Sequence, residues 1–131
     1  MGVFNNIQNA LNVKLNSLSG IPTIYWPNTQ NEPTAGTNWL RPTLLPAASR
    51  PETLTNGNYH SGIYQVDIYT SLKKGTSEAF LIADTIREGF NRQRLANNGT
   101  IVNIVNVSVS TARRDEGWWN VFVEISYICV A

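Results

Sequence analysis

The sequence is poor in the residues that carry most protein chemistry. It holds one cysteine, Cys129, and one histidine, His60, in 131 residues. A single cysteine excludes an intramolecular disulfide, so the fold needs no oxidising compartment. One His and one Cys on distant segments argue against zinc, which wants several ligands converging. Charge is scarce as well. Asp, Glu, Lys and Arg make up 15% of the chain, against about a quarter in an average soluble protein. Ten basic and nine acidic side chains leave a net charge of +1, too balanced to draw in a nucleic acid or a membrane by long-range field. No apolar run approaches the ~18 residues of a membrane span. The start, Met1-Gly2-Val3-Phe4-Asn5-Asn6, lacks the basic region of a signal peptide and has Asn where a myristoylation signal needs Ser or Thr. These absences read as a soluble protein made inside the cell, without a membrane partner. A surface with few charges and much Asn and Thr is either neutral and polar or partly covered by neighbours.

What is present is a core. Apolar residues make up 42% and the mean hydropathy is −0.19, as in soluble globular proteins. The length suits a single domain, residues 1–131, with one core. Val3, Ile7, Leu11, Leu15 and Leu18 fall on one stripe and predict a helix over Val3–Leu18, stopped by Gly20 and Pro22. Thr23–Trp26 is a short strand candidate. The Pro, Asn, Gly and Thr of Pro27–Thr37 make a loop. Asn38–Leu45 reads as a strand in which Pro42 removes one donor, so that it lies at an edge or carries a bulge. Pro46–Tyr59 is a second long loop with an Asn56-Gly57 turn signal.

The second half is more regular. Tyr64, Val66, Ile68 and Leu72 alternate with Gln65, Asp67 and Ser71, the period of a half-buried strand. Gly75 breaks it. Ala79, Ile82, Ala83, Ile86 and Phe90 then share one side of a helix predicted over Thr76–Leu95, closed by Asn97-Asn98-Gly99, with Arg87, Arg92 and Arg94 in its last turns. Thr100–Thr111 is a strand whose alternation shifts phase near Ile104-Val105, which implies a bulge. Ala112–Gly117 forms a charged hairpin tip. In the last strand, Trp118–Val130, Trp119, Val121, Val123, Ile125, Tyr127 and Cys129 make one apolar face, and Asn120, Glu124 and Ser126 lie on the other. The expected fold is α+β: an antiparallel or mixed sheet of about five strands with two helices packed on one face.

Catalytic constellations are missing. His60 and Ser61 are neighbours on an extended chain and point opposite ways, so they make no dyad alone. Lys73-Lys74-Gly75-Thr76 has the wrong order for a phosphate loop. Asp115 and Glu116 share one charged turn with Arg113 and Arg114, whereas general acid–base work wants carboxylates in distinct, shielded sites. Cys129 falls on the core face as a small hydrophobe. The arginines at 87, 92, 94, 113 and 114 beside Trp118 would suit a single-strand nucleic-acid surface, but Asp84, Glu88, Asp115 and Glu116 interleave with them. No sequence-specific nucleic-acid reading, metal or cofactor is expected.

Three segments resemble the tail-terminator (tail-completion, minor tail protein U-like) family of long-tailed bacteriophages. Trp39-Leu40-Arg41-Pro42-Thr43-Leu44-Leu45-Pro46 looks like the family's early strand, which begins W-x-R. Gly62-Ile63-Tyr64-Gln65-Val66-Asp67-Ile68-Tyr69 resembles its central strand, and Trp118-Trp119-Asn120-Val121-Phe122-Val123-Glu124-Ile125 its closing strand. The resemblance implies one structural, non-enzymatic domain over residues 1–131. It would sit in the virion at the head–tail junction after synthesis in the host cytoplasm. Its partners would be further copies of itself in a ring, typically a hexamer, the major tail tube protein, and a head-completion or connector protein. The ring would end tube growth and offer the surface for head joining. Exposure nominates Arg41, Arg50, Arg113, Arg114, Asp115, Glu116 and Trp118 as interface residues. The alternatives are another head–tail connector or neck-ring component, a small nucleic-acid-binding module, and a small hydrolase or ligand-binding domain with a pocket beside His60.

Overall fold

The structure is a computed structural model and describes residues 3–26, 37–46, 50–51, 58–72, 76–97, 99–115 and 117–130. Helix α1 (Val3–Ser17) leads into strand β1 (Thr23–Ile24), followed by β2 (Trp39–Pro46), β3 (Arg50–Pro51) and β4 (Asn58–Ser71). Helix α2 (Ser77–Phe90) comes next, then β5 (Arg94–Asn97), β6 (Thr100–Val109), β7 (Arg113–Asp115) and β8 (Trp118–Val130). The strands form one curled, mixed sheet of order β1-β2-β4-β8-β6-β5, with β3 beside β4 and β7 beside β8. The only parallel pairing among the described residues is β1 on β2. The α+β expectation holds, but among the described residues the sheet has eight strands and not about five.

Each extra strand has a local cause. The helix expected over Thr76–Leu95 ends at Phe90, where the apolar period of α2 runs out. Asn91 closes it by donating its backbone N–H to the Arg87 carbonyl, and Arg92 takes a left-handed φ of 60°. The chain then reverses into β5. Asn97 pairs with Thr100 around residues 98–99, with Gly99 at φ 80°, so the Asn-Gly signal closes a two-residue hairpin and not a helix. Arg92 and Arg94 therefore leave the helix. The charged tip is also strand: Arg113, Arg114 and Asp115 pair with Asn120, Trp119 and Trp118. Of the second predicted loop, Pro46 belongs to β2, Arg50–Pro51 pairs with Asn58 and Tyr59, and Tyr59 belongs to β4. Residues 27–36 of the first loop lie outside the described residues, as do Lys73, Lys74 and Glu116. The bulge is where the phase shift placed it, between Ile104 and Asn106.

Both helices pack on the same face of the sheet. Ile7, Ala10, Leu11 and Leu15 of α1 and Ala79, Ile82, Ala83, Ile86 and Phe90 of α2 meet Val66, Ile68, Val102, Val121, Val123 and Ile125 in one buried cluster. Polar ties fix α1 over the strands: Asn6 Nδ2 donates to Thr100 Oγ1 at 3.0 Å, and the Tyr64 hydroxyl donates to Asn12 Oδ1. Leu18, just after α1, packs against Gly89 of α2, where an added Cβ would lie 2.5 Å from Leu18 Cδ2. Among the described residues no helix lies over the other face of the sheet.

Candidate functional site on the open face of the sheet

Period-two geometry decides which side chains share the open face. Trp39 and Arg41 of β2 lie opposite Tyr69 and Asp67 of β4, and these lie opposite Asn120 and Phe122 of β8. Arg113 of β7 in turn faces Asn120, and Asp115 faces Trp118. Directly opposed residues of neighbouring strands point to the same side, so these nine side chains gather on one patch.

The patch has an aromatic half and a polar half. Trp39 stacks on Tyr69 with ring centroids 4.0 Å apart and planes 11° off parallel. Trp118 and Tyr25 meet Trp39 edge-on at 5.9 and 5.8 Å. The Arg41 guanidinium lies 5.0 Å from the Trp39 ring centroid, within reach of a cation–π attraction. Beside them, Arg113 Nε donates to Asn120 Oδ1 at 3.2 Å, and Asn120 Nδ2 reaches Asp67 Oδ1 at 3.5 Å. Gln65 Nε2 adds bonds of 3.3 and 3.4 Å to the same carboxylate. Asn120 is fully buried, so this amide is a fixed link between a cation and an anion. A cleft of about 210 Å³ opens between Trp39, Arg41, Tyr69, Asp115 and Trp118.

The electrostatics are those of a half-dry surface. Burial pushes the Asp67 carboxyl above its ordinary value, opposed by hydrogen bonds from Gln65 and Asn120 and by the positive charges of Arg113 and Arg41. The Tyr69 phenol is raised by burial first and by Asp67 and Asp115 next. Neither perturbation comes with a nucleophile and base in hydrogen-bonding register.

Arg41, Arg113, Asp115 and Trp118 thus come together. Arg114 does not: it sits one register step away, opposite Trp119, with its guanidinium 6.0 Å from that ring. The side chains of Arg50 and Glu116 lie outside the described residues. Trp39, Asp67, Tyr69 and Asn120 were missing from the sequence-based set of interface residues. Trp39 and Tyr69 look like core aromatics in a linear reading, although the two-residue spacing of Trp39 and Arg41 places both on one face.

His60 is no surface group. It lies inside β4, not in a turn, with 5% exposure, and the Phe4 ring packs edge-on against it at 5.3 Å. The larger clefts described, about 400 and 430 Å³, flank the segment after α1 and gather one ionisable side chain between them, Glu78. Among the described residues no three His, Cys, Asp or Glu side chains converge, and no helix is long and apolar enough to cross a membrane.

The sequence profile of the phage tail terminator proteins matches residues 6–127. The chain belongs to the phage tail terminator family. It is a structural component of a phage tail, and the family is structural and not enzymatic. A solved structure 20% identical to this terminator superposes with a TM-score of 0.76, covering 95% of this chain and 94% of that one, which supports the fold. No curated protein sequence matches it. The three segments that carried the resemblance in the sequence are β2, β4 and β8, which lie side by side in the sheet. They supply both the core and most of the open-face patch.

Proposed function

We propose that this terminator forms a closed ring at the head-proximal end of the tail tube, where it ends tube polymerisation and presents the surface for head joining. Its partners in that role are further copies of itself, about six in all, the major tail tube protein, and a head-completion or connector protein. The observation that carries the reading is the family match over residues 6–127. The open face supports it. Rings use heterologous contacts, in which one patch meets a different patch on the next copy. A surface with tryptophans, arginines and carboxylates held in fixed geometry has the composition of an interface centre. Arg41, Arg113, Asp115 and Trp118 are assigned to the contact between copies. Arg50, Arg114 and Glu116 are assigned to its margin.

Deleting the protein from its phage tests the reading. Tails of uncontrolled length, or tails of normal length that fail to join heads, are the expected products. Normal infectious virions would overturn the role.

A further inference from the structure

The two edges of the sheet are treated in opposite ways. On the β2 side, the Leu40 carbonyl accepts from the Tyr25 N–H at 2.8 Å, so Leu40 turns its backbone groups away from β4. Backbone polarity alternates along a strand. Pro42, Leu44 and Pro46 therefore face outward too, and two of these three have no N–H. Beyond the short β1, that stretch of β2 offers a single outward donor, at Leu44, and is closed to strand addition.

The opposite edge is not closed. Strands β6 and β7 run in one lane along β8. Strand β5 covers only the first part of that lane: its pairing spans Thr100–Asn103, extended by one bond from Ile104 N–H to the Gln93 carbonyl. Beyond the bulge at Val105 the Ser110 N–H donates to the Phe122 carbonyl at 2.9 Å. Ser110, Ser108 and Asn106 thus face β8, and Val107 and Val109 turn their N–H and C=O groups outward. Among the described residues no strand accepts them. Nothing blunts this stretch: it has no Pro, Lys or Arg, and Val105 stands 58% exposed. At its far end the lane reaches Arg113 and Asp115 of the open-face patch.

We infer that the backbone edge at Val105–Val109 receives an extended segment from a second copy of this chain, which completes the lane that β5 leaves half filled. Main-chain hydrogen bonds specify a strand as the ligand. The donor is a second copy because the free edge is continuous with the patch assigned to copy–copy contact, an assignment that rests on the ring reading above. The incoming segment comes from outside the neighbour's β2 edge, because Pro42 and Pro46 bar a direct edge-to-edge joint. One blocked edge also prevents open-ended sheet growth.

Amide hydrogen exchange on the full chain, dilute and assembled, tests this. The inference expects the Val107 and Val109 amides to slow at least tenfold on assembly, while Leu44 does not change. It also expects Val107→Pro to fold cooperatively when dilute, with a lowered melting temperature because the Val107 side chain is part of the core, and to fail to assemble. Assembly of the wild type with fast exchange at both valines, or normal assembly of Val107→Pro, would overturn the strand addition and leave the ring standing. Absence of any assembly by the wild type at high concentration would remove the ring reading and this inference with it. If Val107→Pro does not fold, the wild-type exchange result decides alone.

Discussion

The two faces of the sheet are built from alternate residues of the same strands and obey different rules. Under the helices, Val66, Ile68, Val121, Val123 and Ile125 are fully buried aliphatics. Opposite them, the same two strands carry Gln65, Asp67, Tyr69, Asn120, Phe122 and Glu124, only partly covered apart from Asn120. The first face can be packed by any well-shaped apolar set. The second holds polar and aromatic groups in fixed contacts, among them Asp67, whose carboxyl burial pushes against ionisation. Groups kept at such a cost point to a surface shaped for something that binds it.

The largest effect should come from breaking the covered face. Val123→Asp places an unpaired charge where exposure is zero, at several kcal/mol, comparable to a whole domain's ~5–15 kcal/mol. No cooperative melt by circular dichroism is expected. Ser126→Asp, on the open face of the same strand, should stay within about 1 kcal/mol of wild type. Equal losses from the two would erase the distinction between the faces.

Trp39→Ala comes next. The ring is 6% exposed and stacked on Tyr69, so denaturant melts should show a loss near the ~3–5 kcal/mol of buried tryptophans. A loss below 1 kcal/mol would mean that the aromatic half is already loose. Gly62→Ala should cost about 1–3 kcal/mol by overpacking, because its Cβ would come within 2.6 Å of the Leu45 carbonyl oxygen and 2.9 Å of Pro46 Cα. Wild-type stability there would show that β2 can slide outward.

A smaller, pH-dependent effect belongs to Asp67. Its folded pKa lies above the ordinary value of 3.8, so the folded state binds the proton more readily than the unfolded chain. Stability from this group is greatest below the unfolded pKa and declines as pH rises through the folded one. Asp67→Asn removes that titration. Its melting temperature relative to wild type should rise from pH 3.5 to pH 7, and a flat difference would reject the assignment. Smallest of all, Arg41→Gln should leave the dilute chain within about 1 kcal/mol, since Arg41 is exposed and the substitution sets no like charge opposite Asp67. It should weaken assembly measured by light scattering.

The covered face was legible in the sequence because its signal is periodic. The stripe of α1, the five apolar positions of α2 and the odd positions of β8 each repeat at the spacing of their element, and the bulge in β6 showed as a phase slip. The end of α2 was not legible. Asn91, Arg92, Gln93 and Arg94 are compatible with a helix, and only the left-handed Arg92 and the hairpin around Gly99 reveal the reversal. Half of the open face was legible through its charges, at Arg41, Arg113 and Asp115. Asn120 was not, because its role depends on lying between Arg113 and Asp67, and Asp67 is 53 positions away in the chain. Short strands such as β3 and β7 carry too few residues for a period and are defined by their partners, whereas β1 lies within the strand expected at Thr23–Trp26.

Cryo-electron microscopy of phage particles, at a resolution that places side chains, tests the central claim most directly. The account predicts a ring of this chain at the head-proximal end of the tail tube, with Arg41, Arg113, Asp115 and Trp118 buried between neighbouring copies. A ring in which that face lies open to solvent, or density for the chain elsewhere in the particle, would contradict it.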